Sequence, residues 1–575
     1  MKYSKRFMVF TGLLLLVFLV RFQVMEWSDG ELAEFRGGNL AAQVWNPLIA
    51  DDVNSGLLTV RIDNKEYTSD DYDFYMNEDR NIMVPVDILR DALNCSAHMY
   101  DETQLLVEKH SYSALLTLGE KVAQTKDETV NIVSALTQKG SDYYVSLNDL
   151  SALLGYNCSF DIANRTIATA DTSESTVVVP SRYDLRERGR VSQIRNQGTY
   201  GTCWGFAATS ALESSLLPEQ NVLFSVDHMT MSNSFQVNQY DGGEYTMGMA
   251  YLAAWQGPVL EKDDPYGDDK TDKNLNEVAH VQEMRIIDGK DYDAIKLAVF
   301  KYGGVQSSLY STIRSSQSSS QYYNRETSAY CYIGTEKPNH DIVIIGWDDN
   351  YSRDNFMTPL EGDGAFICQN SWGEDFGDDG VFYVSYYDTN IGTHNVVYTK
   401  VEDTDNYDLL YQSDLCGWVG NIGYQGRESI YGANVYSTKQ SQLLRAAGFY
   451  ATGADTTYAV YVVNDFTDTT SFSNMEKVAT GQLEQAGYYT IAFDEPVKLK
   501  KGEKFAVVVY LSTPGTDHPM AIEYDSGDVA LQTVDLEDGE GYISMNGSRF
   551  TDVKSQQDCN LCIKAYADIA ADNEK

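Results

Sequence analysis

Basic residues are scarce in this chain. Its 575 residues include 43 lysines and arginines against 84 aspartates and glutamates, a formal net charge of −41. A protein that grips nucleic acid or an anionic membrane surface needs a concentrated basic patch, and the body of this sequence builds none. Nucleic acid is therefore excluded as a partner, and the acidic excess reads as a solvated exterior. Histidines are also few, seven in all, and they do not cluster. The eight cysteines, at 95, 158, 203, 331, 368, 416, 559 and 562, are few for the length. Cys559 and Cys562 have the spacing of half a zinc site or a redox pair, but no second such pair completes it, so they read as neighbouring strand cysteines. Asp403, Asp405 and Asp408 fit no EF-hand spacing. No metal and no cofactor is expected.

Long hydrophobic runs are missing too. The longest near the N-terminus, Phe7 to Val20, is 14 residues, short of the roughly 20 that a spanning helix needs. Lys2, Lys5 and Arg6 precede it, the charge order of an export signal. Residues 1–27 therefore read as an export signal or, with Arg21 snorkelling and Phe22, Val24 and Met25 extending the run, as an N-terminal membrane anchor. No small-x-small cleavage site follows, and both readings stay open. In either case the product is expected outside the cytoplasm, extracellular or at the cell surface, with membrane association confined to this segment.

What is present is organised around Gln197-Gly198-Thr199-Tyr200-Gly201-Thr202-Cys203-Trp204. The glycines let the loop turn tightly, and Phe206, Ala207, Ala211, Leu212 and Leu216 then recur at helical spacing until Pro218 stops the pattern. This predicts a buried helix over Gly205 to Leu216, with Cys203 at its N-terminus. Unpaired backbone N–H groups and the positive end of the helix dipole favour a thiolate there.

The length predicts several domains. Residues 28–55 read as a tether. Residues 56–171 carry an internal repeat, in which Val84-Pro85-Val86-Asp87 leading to Asn94-Cys95-Ser96 is echoed by Val145-Ser146-Leu147-Asn148 leading to Asn157-Cys158-Ser159. Residues 172–178 are a polar linker, 179–395 hold the cysteine loop, and 396–570 show alternating strands (Ala446–Ala451, Tyr458–Val463, Tyr488–Phe493 and Phe505–Leu511) that predict a β-sandwich.

Downstream of Cys203 stand Asp241-Gly242-Gly243-Glu244-Tyr245, then Asn339-His340-Asp341-Ile342-Val343, then Gln369-Asn370-Ser371-Trp372-Gly373. With Val179-Pro180-Ser181-Arg182-Tyr183-Asp184 upstream, these segments resemble the papain-like cysteine peptidases in four ordered motifs. His340 lies 137 residues after Cys203, inside the family's range of about 130 to 150, and Asn370 lies 167 residues after it because Asp348–Gly364 is inserted between two strands. The resemblance implies a helical half and a β-barrel half, flanked here by a small α+β repeat module and the C-terminal β-sandwich. The module resembles the copper amine oxidase N-terminal domain, without copper chemistry, and Cys95 and Cys158 at equivalent repeat positions are candidates for a disulfide. The sandwich is similar to the lectin-like domain of some bacterial exported peptidases; a glycan site or a packing partner that extends the cleft are both open.

By that resemblance Cys203 is the nucleophile, His340 the base, Asn370 the group that orients His340 and Trp372 its shield. Gln197 and the Cys203 N–H form the oxyanion hole. Gly242 and Gly243 would take substrate as an extended strand. Two departures stand out. Tyr200 replaces a cysteine that cross-links this loop in many members, leaving stability to packing. Asp341 replaces a small residue at the wall of the pocket for the second residue before the scissile bond, which predicts a preference for basic or polar side chains. No inhibitory propeptide is recognisable. Protein or peptide substrates follow; the rivals are a surface glycan-binding adhesin with a non-catalytic peptidase domain and a transpeptidase using the same acyl-enzyme.

Overall fold

The computed structural model describes residues 59–62, 65–68 and most of 72–171, then 180–570 except 314, 316, 317, 532 and 533. The export segment, the tether and the linker lie outside these residues. The chain divides into two compact units, Met1–Val179 and Pro180–Lys575.

In the first unit the repeat becomes a strand pair. Strands Ile82–Pro85 and Asp142–Ser146 run antiparallel with Val84 opposite Val145, so equivalent positions of the two copies face each other. The first copy continues into helix Val86–Asp91. A five-stranded sheet over residues 96–131 packs on this pair around Val84, Ile88, Leu105, Val107 and Leu116. Cys95 is buried, whereas the Cys158 side chain lies outside the described residues, and with it the expected pairing.

The second unit opens with a short strand, Arg182–Asp184, and its helices follow. α1 (Cys203–Leu216) is buried on every side from Trp204 to Ser214, which explains its lack of a polar face. It ends because Leu217 must turn extended ahead of Pro218. Inside the protein it is held by an ion pair, with Arg195 Nη2 3.0 Å from Glu213 Oε1. The same carboxylate accepts the Phe224 N–H at 2.7 Å and the Ser192 hydroxyl. α2 (Val226–Met231) is capped by Ser225, and α3 (Tyr245–Ala253) packs with it against α1.

Strands follow: β1 (His280–Ile287), β2 (Val305–Leu309) after helix α4 (Tyr292–Tyr302), β3 (His340–Asp348), β4 (Ala365–Gln369), β5 (Val381–Ser385) and β6 (Asn395–Glu402). Their order in the sheet is β5-β4-β3-β2-β6-β1. β6 pairs with both β1 and β2, so the expected boundary at 395/396 falls at the start of a strand that belongs to the central domain.

The C-terminal strands are β7 (Ser429–Ser437), β8 (Gln442–Ala451), β9 (Thr456–Val463), β10 (Glu476–Leu483), β11 (Ala486–Leu499), β12 (Lys504–Ser512) and β13 (Ile563–Ile569). All four strands expected here lie within β8, β9, β11 and β12. One layer, β10-β9-β12-β7, faces another made of β11-β8-β13, with Leu444, Phe449, Val460, Val507, Val509 and Ile563 between them. The second layer does not stop at the domain edge. β11 pairs antiparallel with β1, Met284 opposite Tyr488, so one 13-stranded sheet runs through both domains. Gly487 makes the seam possible: its φ is +141°, and a Cβ there would lie 2.1 Å from the Met284 carbonyl oxygen.

Candidate active site

Cys203 is the first residue of α1 and is half-buried, open enough to be reached. The backbone N–H groups of Asp341 and Trp204 and its own N–H favour the sulfur as an anion. Burial works against them, and the Asp341 carboxylate adds to it; together they push the thiol up to about 12. Desolvation thus outweighs the helix N-terminus for the thiol, and a resting thiolate, as the sequence suggests, is not what this environment favours.

The Asp341 N–H at the sulfur also locates His340, the preceding residue and the first of β3. β3 and β4 are paired with Val343 opposite Gln369, which brings Asn370, just past β4, beside His340. His340 Nε2 donates to Asn370 Oδ1 at 2.9 Å. That oxygen also accepts the Ser371 N–H at 2.8 Å, so the amide is oriented from two sides. With Nε2 donating, Nδ1 is the nitrogen left for proton exchange. The Trp372 indole stacks on the imidazole, centroids 4.6 Å apart at 21°, and both rings are buried. Burial lowers the His340 pKa to about 4, with the Asn370 hydrogen bond opposing it.

Gln197 is fixed at both ends of its side chain. Its Oε1 accepts the Ser371 hydroxyl at 2.7 Å, and its Nε2 donates to the Tyr200 carbonyl at 2.7 Å. The backbone adds a third tie, Gln197 N–H to the Ser371 carbonyl at 2.8 Å. The Gln197 and Asn370 segments are thus joined through Ser371, a residue the sequence offers only as the middle of a motif.

The glycines have separate reasons. Gly242 has φ +86° with open space at its Cβ position, whereas a Cβ on Gly243 would meet the Trp204 indole at 2.4 Å. The sequence reading assigns both to substrate approach; for Gly243 the crowding comes from Trp204, the residue after the nucleophile. Tyr200, in place of a disulfide cysteine, donates to Asp269 Oδ1 at 2.7 Å and packs on Tyr240 and Tyr266 with centroids 4.9 and 6.0 Å apart. The Tyr266 hydroxyl in turn lies 2.6 Å from Thr202 Oγ1 and donates to the Gln197 carbonyl at 2.9 Å. An aromatic cluster therefore braces the loop.

Asp341 is half-buried, accepting Ser308 Oγ at 2.7 Å and Gln306 Nε2 at 3.0 Å. Burial raises its pKa, these two hydrogen bonds and His394 oppose the rise, and Glu244 adds to it. His394 packs on Tyr245, centroids 5.5 Å apart. Gln306, Ser308, Glu244 and His394 escape the sequence reading. The signal for the first two is present in β2, where three consecutive polar residues, Gln306 to Ser308, sit in a fully buried strand with Gln306 and Ser308 on the same face.

Three family comparisons match separate stretches: Copper amine oxidase N-terminal domain at residues 61–169, Papain family cysteine protease at 179–401 and Lectin like domain at 410–567. Among curated proteins, the chain is 28% identical over 212 residues to a cathepsin L-like peptidase of Aedes aegypti, covering 36% of this chain and 59% of that protein. It is 27% identical over 207 residues to cathepsin K of Mus musculus, covering 35% and 58%. The matched stretch thus spans less than two thirds of these relatives. Among solved structures, the clostridial cysteine protease Cwp84 after propeptide cleavage aligns at 26% identity and TM-score 0.61, covering 68% of this chain and 100% of that one. A structure of the cysteine protease and lectin-like domains of Cwp84 from Clostridium difficile, described as surface layer associated, aligns at 25% and 0.60, covering 70% and 92%. Residues 179–401 are a papain-family cysteine protease domain, set between a copper amine oxidase N-terminal-type domain and a lectin-like domain.

Proposed function

We propose that this protein is an exported cysteine peptidase that hydrolyses peptide bonds through an acyl-enzyme on Cys203. The observation that carries the reading is the His340 Nε2 to Asn370 Oδ1 hydrogen bond under Trp372, on the strand whose next N–H favours the Cys203 sulfur. His340 Nδ1 takes the thiol proton as the sulfur attacks the carbonyl carbon. The oxyanion is met by the Cys203 N–H and by the Gln197 Nε2 proton that Tyr200 does not use. The C–N bond then breaks, His340 returns the proton to the leaving amine, and a thioester remains. Water attacks it, again giving its proton to His340, and the acid leaves as the thiol re-forms.

Asp341, flanked by Glu244, gives the adjoining pocket a negative wall, so a basic or polar side chain is preferred in the second residue before the scissile bond. The surface-layer association of Cwp84 and the N-terminal export-type segment support a place at the cell surface, with the lectin-like domain available to surface glycans. Among the described residues no helix is long and apolar enough to cross a membrane. Incubation of a peptide library with wild type and Cys203→Ala tests the reading by mass spectrometry. Internal cleavages by wild type alone support it, and identical digests overturn it.

A further inference from the structure

An open cavity of about 750 Å³ lies between the protease and lectin-like domains. One wall is the loop of residues 233–238 with Asp241, the residue directly before Gly242; the facing wall carries Glu523, Asp535 and Asp538. Both walls are held in place. Gln236 N–H donates to the Ala530 carbonyl across the seam at 2.9 Å, and the Cys416 thiol to the Ser234 carbonyl at 3.4 Å. At its far end the loop is tied to the nucleophile segment by Gly201 N–H to the Gln239 carbonyl, 2.7 Å. The cavity therefore adjoins the Gly242–Gly243 segment against which substrate would lie, and neither His340 nor Trp372 lines it.

The lining selects its ligand by charge. It carries three aspartates, Asp241, Asp535 and Asp538, against one cation, Lys273, and a fourth acidic group, Glu523, whose pKa burial raises to about 7. Asp241, Asp535 and Asp538 are exposed, whereas Glu523 is 2% exposed and fixed, accepting the Cys416 N–H at 2.6 Å and Asn560 Nδ2 at 3.1 Å. An anionic occupant would add to this repulsion, a neutral one would gain nothing from Asp241, Asp535 and Asp538, and a cationic one is attracted by all three. Phe235 is the single aromatic in the lining, which gives a sugar ring little to stack on.

We propose that this cavity is a substrate subsite for a lysine- or arginine-bearing stretch of polypeptide lying N-terminal to the scissile bond, upstream of the residue that pairs with Gly242 and Gly243. The inference rests on the proteolytic reading and names the substrate class for it: polypeptides with a basic segment preceding the cleavage point. The lectin-like domain then acts as a specificity element of the peptidase.

Peptides sharing one cleavable core and bearing a Lys-rich, Glu-rich or Gly/Ser upstream extension test this with wild type and Asp535→Asn/Asp538→Asn. At low salt the Lys-rich extension should raise kcat/KM about tenfold or more over the Glu-rich one, an advantage that shrinks with salt. The double variant should lose most of it while cleaving the unextended core like wild type, with unchanged melting. Equal rates for all three extensions, or a double variant that keeps the preference, overturn the proposal. Fluorescence anisotropy of a labelled Lys-rich peptide on Cys203→Ser separates the two readings. Charge-dependent binding without any cleavage by wild type sinks the hydrolytic reading and leaves the cavity standing; cleavage indifferent to the extension does the reverse.

Discussion

At the scale of single residues, burial sets the pH behaviour. The His340 pKa, lowered to about 4, leaves the imidazole neutral and able to accept a proton at any higher pH, and the Cys203 thiol, pushed up to about 12, keeps its proton through the neutral range. kcat/KM should therefore rise as pH increases through about 4 and stay level at least to pH 9. A stopped-flow pH profile with an acid limb near 6 would contradict this. Asp341 is the residue whose change should move both specificity and reactivity. Its charge opposes thiolate formation, so Asp341→Asn should lower the Cys203 pKa and speed alkylation by iodoacetamide at pH 7. The same change should cut kcat/KM for arginine two residues before the scissile bond by about tenfold, or about 1.4 kcal/mol. Unchanged alkylation and an unchanged preference would remove Asp341 from both roles.

At the scale of elements, α1 depends on one buried carboxylate. Glu213→Ala would leave Arg195, 10% exposed, with the more distant Glu261 at 3.7 Å as its remaining counter-charge, and would orphan the Phe224 N–H. The cost should be about 3–5 kcal/mol, read as a lowered midpoint in urea unfolding; a loss under 1 kcal/mol would place the helix's stability elsewhere. The helix itself was legible in the sequence because its spacing and its Pro218 stop are local. The placing of Cys203 at the start of α1 and of His340 beside Asn370 was legible because each residue stands inside a short motif. Gln306 and Ser308 were not, because only the folded register of β2 against β3 brings them to Asp341. A second reason for glycine at 243 was hidden in the same way, since only the fold brings the Trp204 indole into the space a side chain there would take.

At the scale of the molecule, alternation in the C-terminal third announced strands but could not announce that one of them, β11, completes a sheet begun some 200 residues earlier at β1. The protease and lectin-like domains should consequently unfold together, giving one calorimetric transition for a chain of residues 180–570. Gly487→Val, which would drive a side chain against the Met284 carbonyl, should lower that transition or split it. Two well-separated transitions in the wild type would show that the shared sheet does not couple the domains.

The chemistry at Cys203 is the claim on which the rest depends. Among the described side chains, Cys203 is half-buried while Cys95, Cys331, Cys368, Cys416, Cys559 and Cys562 are buried. The most direct measurement is peptide mapping after titration with a thiol-directed epoxide, with residual peptidase activity followed in parallel. The expected result is a single adduct on Cys203 at one equivalent, with activity falling in proportion to labelling. Full labelling of Cys203 with activity retained, or loss of activity with Cys203 unmodified, would contradict the account.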